Sequence, residues 1–520
     1  MQSLPDTLYK VDSVVQLEQV AINQYGIPAY DLMKRAGKAV FDVIQANYSQ
    51  NKVVLVLCGA GNNAGDGYVV AKLAKAAGYD VHVISLIDPD TLKNEAQLAY
   101  QDWVNHEGST VTDIAGETEL AKQLASLLTD ADIIIDALLG TGLKRDVSLR
   151  WAEWITTVNQ SAKQVISVDI PSGLMADTGA IAGVAIKADI TVCFIGLKQG
   201  MFTAQGNDVC GEIIFNDLAL PDDVYTHIEP DARLIQGINY SLLPKRKASS
   251  HKGCFGHVLI AGGNNGMPGA VILAARAALR SGAGLVTVIT VPQHIDAIST
   301  AVPEAMIKTC DIGSIDALFN ESFISDVTHV AIGMGLGQDE WSLHLLQHCM
   351  RLHKPMLIDA DALNLIAGHD FTEIKQLAAL PLVITPHPGE AGRLLSKTKK
   401  FSSKDVQLNR YDAINKLHAF FSDSETCTVI LKGSGTLIFN GQTMKVCKLG
   451  NAAMAAPGMG DVLSGIIIAL MAQNIKLTAT IDIAELAVCL HAAAAEWFIA
   501  DKTRGLLASD IIDTLPKVLQ

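Results

Sequence analysis

The chain has no pair of cysteines at C-x-x-C spacing and no G-x-x-x-x-G-K-[ST] phosphate loop, and no apolar run approaches the ~20 residues that span a bilayer. The first absence removes zinc-ribbon and thioredoxin-like chemistry, and the second removes the P-loop nucleotidases. The third removes a membrane helix, since the longest apolar stretch runs only from Val462 to Ala472. Positive charge is also short: 40 Lys and Arg stand against 54 Asp and Glu, a net charge of −14, so a general grip on nucleic acid is not expected. Phosphorylated small molecules are not excluded, because backbone amides and helix N-termini hold anions without formal charge. The nine scattered cysteines (Cys58, Cys193, Cys210, Cys254, Cys310, Cys349, Cys427, Cys447, Cys489) read as reduced buried thiols. With no apolar signal core in MQSLPDTLYKVDSVVQLEQ, the expected location is cytoplasmic and no membrane partner is expected.

What is present is glycine (42) and aliphatic side chains, in a chain of 520 residues with only 5 % aromatics. That length exceeds what one core fills, so two domains are expected. Short continuous apolar runs separated by helix-length spacers occur at 53–58, 81–85, 133–139, 165–170, 190–195 and 212–215. Strands of this kind are covered on both faces and joined by parallel crossovers, so the fold class is α/β with a doubly wound parallel sheet. A helix over Tyr30–Ile44 leads into the first strand. The rhythm breaks at 217–250 and restarts at 257–263, 285–291, 329–335, 356–363, 382–386, 428–433 and 436–439. The domains are set at 1–225 and 236–520.

In the first half, Gly59, Gly61, Asn62, Asn63, Gly65, Asp66 and Gly67 form a loop after a buried strand, with a helix expected from about Tyr68. Such loops let backbone N–H groups approach a phosphate. Three more strands end in polar or glycine-rich turns: Asp136 to Asp146, Asp169 to Gly173, and Gly196 to Gly200. The C-terminal ends of an open parallel sheet face one crevice, so these turns should converge. Asn63, Asp136 and Ser172 offer oxygen ligands for a hard cation, and Asp169 is the best-placed general base. Each carboxylate can also serve as a cap or turn brace, and Lys198 suits either a phosphate anchor or a surface stem.

GNNAGDG (61–67), DALLGTGLKRD (136–146) and VDIPSGL (168–174) resemble the NAD(P)H-hydrate epimerase family over roughly residues 10–220. The resemblance implies a Rossmann-like fold and potassium on Asn63, Asp136 and Ser172. It also implies substrate contacts from Asn62, Asn63, Ala64, Gly65 and Asp66, from Gly140, Thr141, Gly142, Leu143, Lys144, Arg145 and Asp146, and from Asp169. The implied reaction interconverts the R and S hydrates of reduced nicotinamide dinucleotides at ring carbon C6.

In the second half, PGMGDVLSG (457–465) opens an apolar helix whose free amides suit phosphoryl oxygens, with Asp461 placed to take a proton. LKGSGT (431–436) is a glycine turn between two strands, suited to phosphate or ribose or simply to a hairpin. With GHVLIAGGNNGMPGA (256–270), GMGLGQ (333–338), DADALNLI (359–366) and TPHPGEAGRLL (385–395), these motifs resemble the ribokinase-like superfamily. Within it they are similar to the ADP/ATP-dependent NAD(P)H-hydrate dehydratase family over about 240–515. The two halves together resemble bifunctional NAD(P)H-hydrate repair enzymes. That resemblance implies nucleotide contacts from Lys432, Gly433, Ser434, Gly435, Thr436 and Gly460, and substrate contacts from Ala270, Gly335, His387 and Asp461. Asp461 would be catalytic with Mg²⁺, as Asp169 would be in the first half. NADHX, NADPHX and ADP or ATP would be the small-molecule partners, and a homo-oligomer is the expectation for such folds. His387 would orient the nicotinamide or brace its own turn. Pro457 stands where another small residue is expected and removes one backbone donor.

Two rivals are weighed. A vitamin-precursor kinase fits the GMGD helix but leaves the first half unexplained. A regulatory nucleotide-binding protein would not need Asp169 and Asp461 intact.

Overall fold

The computed structural model describes residues 4–50, 52–112, 126–243, 245–371, 374–397, 401–473 and 479–519. The chain divides into two compact units, residues 1–233 and 234–520.

In the first unit seven parallel strands form a sheet in the order Thr110–Thr112, Asp80–Ser85, Val53–Cys58, Ile133–Ala137, Gln164–Val168, Ile190–Phe194 and Glu212–Asn216. The central strands are buried almost throughout, which is why their sequences are continuous Val, Ile and Leu rather than alternating. Strand order reverses between Val53–Cys58 and Ile133–Ala137, so the crevice above their carboxyl ends is the natural ligand position. The following helix runs over Asn62–Ala76, six residues earlier than the sequence reading set it. Gly61 is the residue before that helix, while Gly65 and Gly67 lie inside it, because small residues let it pack closely. A Cβ on Gly65 would stand 2.6 Å from Met33 of the helix Ala29–Asn47. Two short pieces also went unanticipated. Strand Thr7–Tyr9 pairs with Leu197–Lys198, and the amphipathic helix Val11–Asn23 follows it.

In the second unit the strands run Met306–Thr309, Leu285–Thr290, His257–Ala261, His329–Ile332, Met356–Ile358, Leu382–Ile384, Cys427–Leu431, Thr436–Phe439 and Met444–Cys447. The first seven are mutually parallel and the last two turn back as an antiparallel meander. Helix Met459–Ala472 is apolar on nearly all sides because it is enclosed on all sides: twelve of its fourteen residues are buried. Among the described residues, no helix is long and apolar enough to cross a membrane.

Two helices of this unit approach closely at Gly465, where a Cβ would stand 2.2 Å from the Ala274 carbonyl oxygen in helix Pro268–Arg280. Gly465→Val is expected to cost about 3 kcal/mol by overpacking. In urea unfolding of the whole chain the transition of this unit should move to lower urea. An unchanged curve would mean that the two helices separate without cost.

Candidate functional sites

In the first unit a cleft of about 920 Å³ opens at the switch point. Asn62, Asn63, Asp66, Gly140, Thr141, Gly142, Leu143, Lys144, Arg145 and Asp169 line it. Ala64 and Gly65 lie buried inside the helix, Asp146 is exposed outside the cleft, and Asp136 and Ser172 sit fully buried behind it. The sequence reading missed one wall, contributed by Val11, Val14, Val15 and Glu18.

Asp169 follows its strand directly and adopts φ +65°, a left-handed conformation that aspartate tolerates better than most residues. The turn aims its carboxylate at Lys198, whose Nζ donates to Oδ1, while the Phe194 N–H donates to the same oxygen at 3.1 Å. Lys198 is 1 % exposed and also donates to the Phe194 carbonyl at 3.0 Å, so it is a buried anchor rather than a surface stem. Burial acts to lower its pKa, but Asp169 outweighs burial and the pKa is raised. Asp66 is pushed well above the usual carboxylate range by burial and by the charges of Asp169 and Glu18. Glu18 is raised for the same reasons, burial first and Asp169 second. The cleft therefore holds the Lys198–Asp169 pair beside two carboxyl groups, Asp66 and Glu18, whose pKa values are raised.

Behind the cleft, Asp136 accepts from the Ser167 hydroxyl (2.7 Å), the Ser172 hydroxyl (2.5 Å) and the Ser172 N–H (2.9 Å). Burial still raises its pKa against those bonds. The Leu139 N–H donates to Ser172 Oγ, and a Cβ on the next residue, Gly140, would stand 3.9 Å from Asn63 Oδ1. Asn63 Nδ2 is buried with no hydrogen-bond partner. One carboxylate with neutral hydroxyl and amide oxygens suits a hard, singly charged cation. Among the described residues there is no cluster of three or more His, Cys, Asp or Glu that would hold a metal ion.

In the second unit the site centres on Lys432, the first residue after its strand. Its Nζ bonds Asp359 Oδ1 at 2.7 Å and lies 4.0 Å from Glu390 Oε2. Ser464, on the GMGD helix, donates to the other Asp359 oxygen at 2.7 Å, and a Cβ on Gly460 would stand 3.3 Å from Lys432 Nζ. Lys432 and Gly460, expected together, are together. Burial acts to lower the Lys432 pKa, but Asp359 and Glu390 outweigh it and raise it. Asp461 is pushed up to about 7, first by burial and next by the Asp359 charge. Glu390 also reaches about 7, by burial opposed by Lys432.

Residues 431–436 form a hairpin turn, Leu431 pairing with Leu437, so the hairpin reading of LKGSGT holds at the level of the backbone. Ala270 and Gly335 are neighbours, for a Cβ on Gly335 would stand 2.9 Å from Ala270 Cβ. The next turn is tied toward Asp461's surroundings by Gly337 N–H donating to Asp361 at 2.9 Å. His387 caps the helix Pro388–Leu395: Nδ1 accepts from the Gly389 N–H at 2.9 Å and Nε2 lies 3.2 Å from Glu390 Oε1. Both ring nitrogens are thus engaged within the turn, and the half-exposed ring face is what remains for a ligand. The H-P-G-E spacing is a capping-box signature that could have been read from the sequence.

Residues 29–200 match the family described as YjeF-related protein N-terminus, and residues 258–517 match NAD(P)H-hydrate dehydratase. Over 518 residues the chain is 40 % identical to the bifunctional NAD(P)H-hydrate repair enzyme of Vibrio cholerae, covering 99 % of each chain. The chain belongs to the bifunctional NAD(P)H-hydrate repair enzyme family. The repair enzymes of Coxiella burnetii and Escherichia coli are each 38 % identical to it, over 98 % and 95 % of their lengths. Both halves of this repair enzyme therefore have a family counterpart, and neither rival weighed above accounts for both.

Removing the Asp359 charge should move Asp461 in a defined direction. In Asp359→Asn the midpoint of the Asp461 carboxyl, followed by ¹³C NMR and assigned with Asp461→Asn, is expected to fall from about 7 toward the ordinary carboxylate range. An unmoved midpoint would assign the shift to burial alone.

Proposed function

We propose that the chain restores hydrated NADH and NADPH through two reactions: epimerisation of the C6 hydrates in the first unit and nucleotide-dependent dehydration of the S hydrate in the second. The observation that carries the second is Asp461, titrating at about 7 beside the Lys432–Asp359 pair on the first turn of the GMGD helix. A general base works best when its pKa lies near the working pH.

In the second unit, Asp461 accepts the proton of the C6 hydroxyl as that oxygen bonds the terminal phosphorus of ADP or ATP. AMP or ADP departs with the electrons of the broken phosphoanhydride. The nitrogen lone pair of the ring then expels inorganic phosphate from C6, and loss of a proton from C5 restores the ring double bond. Phosphate leaves far more readily than hydroxide, which is why a nucleotide is consumed. The Lys432 ammonium and the amides of the 433–436 turn and of Gly460 hold the phosphates. The Asp461 region would be where Mg²⁺ is held, and the ion would supply charge neutralisation to the phosphates. Ala270, Gly335 and the face of His387 border the hydrate.

In the first unit, a proton delivered to the C6 hydroxyl releases water with the help of the ring nitrogen lone pair. Water then returns to the opposite face and surrenders a proton to Asp169, which Lys198 contacts. Asp66, whose pKa is raised by burial and the Asp169 charge, is the neighbouring donor. Asn62, Asn63, Asp66 and the glycine turn 140–145, which line the cleft, contact the dinucleotide. Potassium on Asn63, Asp136 and Ser172 would fix that turn against the base of the cleft.

The test follows absorbance at 340 nm after adding the protein to S-hydrate of NADH with Mg²⁺ and either ADP or ATP. Recovery with one nucleotide, reduced about 10²–10⁴-fold in Asp461→Asn, is expected. Because the base acts as its carboxylate, kcat/KM should fall as pH drops through about 7. No recovery with either nucleotide would overturn the proposal.

A further inference from the structure

The mechanism leaves one buried charge unused. Arg410, the first residue of helix Arg410–Phe421, has no solvent exposure. Burial lowers its pKa to about 10, which still leaves it charged at neutral pH. A charge removed from water is costly unless its hydrogen bonds are made. Its guanidinium spends those bonds on the underside of the 431–436 hairpin. Nη2 reaches the carbonyls of Leu431 (3.0 Å), Lys432 (3.3 Å) and Gly435 (3.4 Å), and Nη1 reaches the Lys432 carbonyl (3.3 Å) and Gln407 Oε1 (3.3 Å).

Three carbonyls turned toward one cation have a consequence on the other side of the chain. The C=O and N–H of a peptide unit point in opposite directions. With the Lys432 carbonyl held down, the N–H of Gly433 is directed away from Arg410, and with the Gly435 carbonyl held down, so is that of Thr436. Gly433 has φ +133°, and a Cβ there would stand 2.8 Å from Arg410 Nη1, so the guanidinium itself requires glycine at this position. The Lys432 N–H is fixed separately, by donating to the Pro386 carbonyl at 3.0 Å.

We infer that Arg410 is a positioning residue for the nucleotide: from beneath the hairpin it orients the amides of Gly433 and Thr436 toward the phosphates and holds the turn that carries Lys432 at the same space. The inference rests on the proposed nucleotide role of that hairpin. Arg410 touches no substrate, and its effect should appear in nucleotide affinity and not in the chemical step.

The experiment uses the full-length chain and three measurements: ADP and ATP binding by isothermal titration, dehydratase kinetics with nucleotide and S-hydrate varied in turn, and epimerase activity. Arg410→Met removes the carbonyl contacts at similar volume. Arg410→Lys keeps the charge, but a single ammonium cannot span three carbonyls. For both variants the nucleotide Kd and KM are expected to rise at least tenfold, with the hydrate KM, the kcat at saturating nucleotide and the epimerase activity unchanged. The lysine variant should lie between the methionine variant and the native chain. Should Arg410→Met fail to fold, the same split in Arg410→Lys decides the matter. Equal nucleotide Kd and KM in the folded variants and the native chain would overturn the inference, as would a loss confined to kcat. A native chain that binds neither nucleotide would instead overturn the functional reading on which the inference rests.

Discussion

The Lys432 ammonium and the Asp359 carboxylate face one another at 2.7 Å, the first 20 % and the second 2 % exposed. Removing the Lys432 ammonium would leave the Asp359 charge buried without its counter-ion, at a cost of about 3–5 kcal/mol. Each lies just past the end of its strand, so the contact sets the carboxyl end of Met356–Ile358 against that of Cys427–Leu431. Through Ser464 the same carboxylate takes hold of the GMGD helix, and through its charge it lifts the Asp461 pKa. A single ion pair thus ties together the helix N-terminus, the Lys432 ammonium and the raised pKa of Asp461.

The first unit uses the same physics with different parts. A buried lysine again meets an aspartate placed just beyond a parallel strand, and again neighbouring carboxyls are driven toward their protonated forms. The Lys198 ammonium meets the Asp169 side chain inside a cleft where burial and Asp169 raise the pKa values of Asp66 and Glu18. Separation of acid and base by environment is what exchange of a hydroxyl at one carbon requires. His387, for its part, is committed to capping its helix.

The parallel sheets and the turns above them were legible because buried strands and phosphate-facing turns constrain residue type locally. VVLVLC, IIIDA and GMGD each announce their element without knowledge of anything distant. What escaped was set by tertiary contact. GNNAGDG reads as a loop because glycine is a poor helix former, yet helix packing against Met33 favours small residues there. Glu18 sits on an amphipathic helix with no motif, and its place in the cleft wall follows only from how that helix docks. Arg410 lies more than twenty residues before the hairpin it supports, and an arginine in LNRYDA carries no mark of burial. Asp359 and Glu390 stood inside quoted motifs, DADALNLI and TPHPGEAGRLL, but their convergence on Lys432 depends on three separate strand ends.

The central claim is that one chain carries two successive reactions on one substrate pool, with Asp169 serving the first and Asp461 the second. The most direct measurement gives the chain an equilibrated mixture of R and S hydrates with nucleotide and follows absorbance at 340 nm to completion. The native chain should recover the whole mixture. Asp169→Asn should recover the S fraction at the native rate and then stall for as long as the native chain needs to finish, while Asp461→Asn recovers almost nothing. If Asp169→Asn consumed both hydrates at the native rate, the assignment of epimerisation to the first cleft would be contradicted.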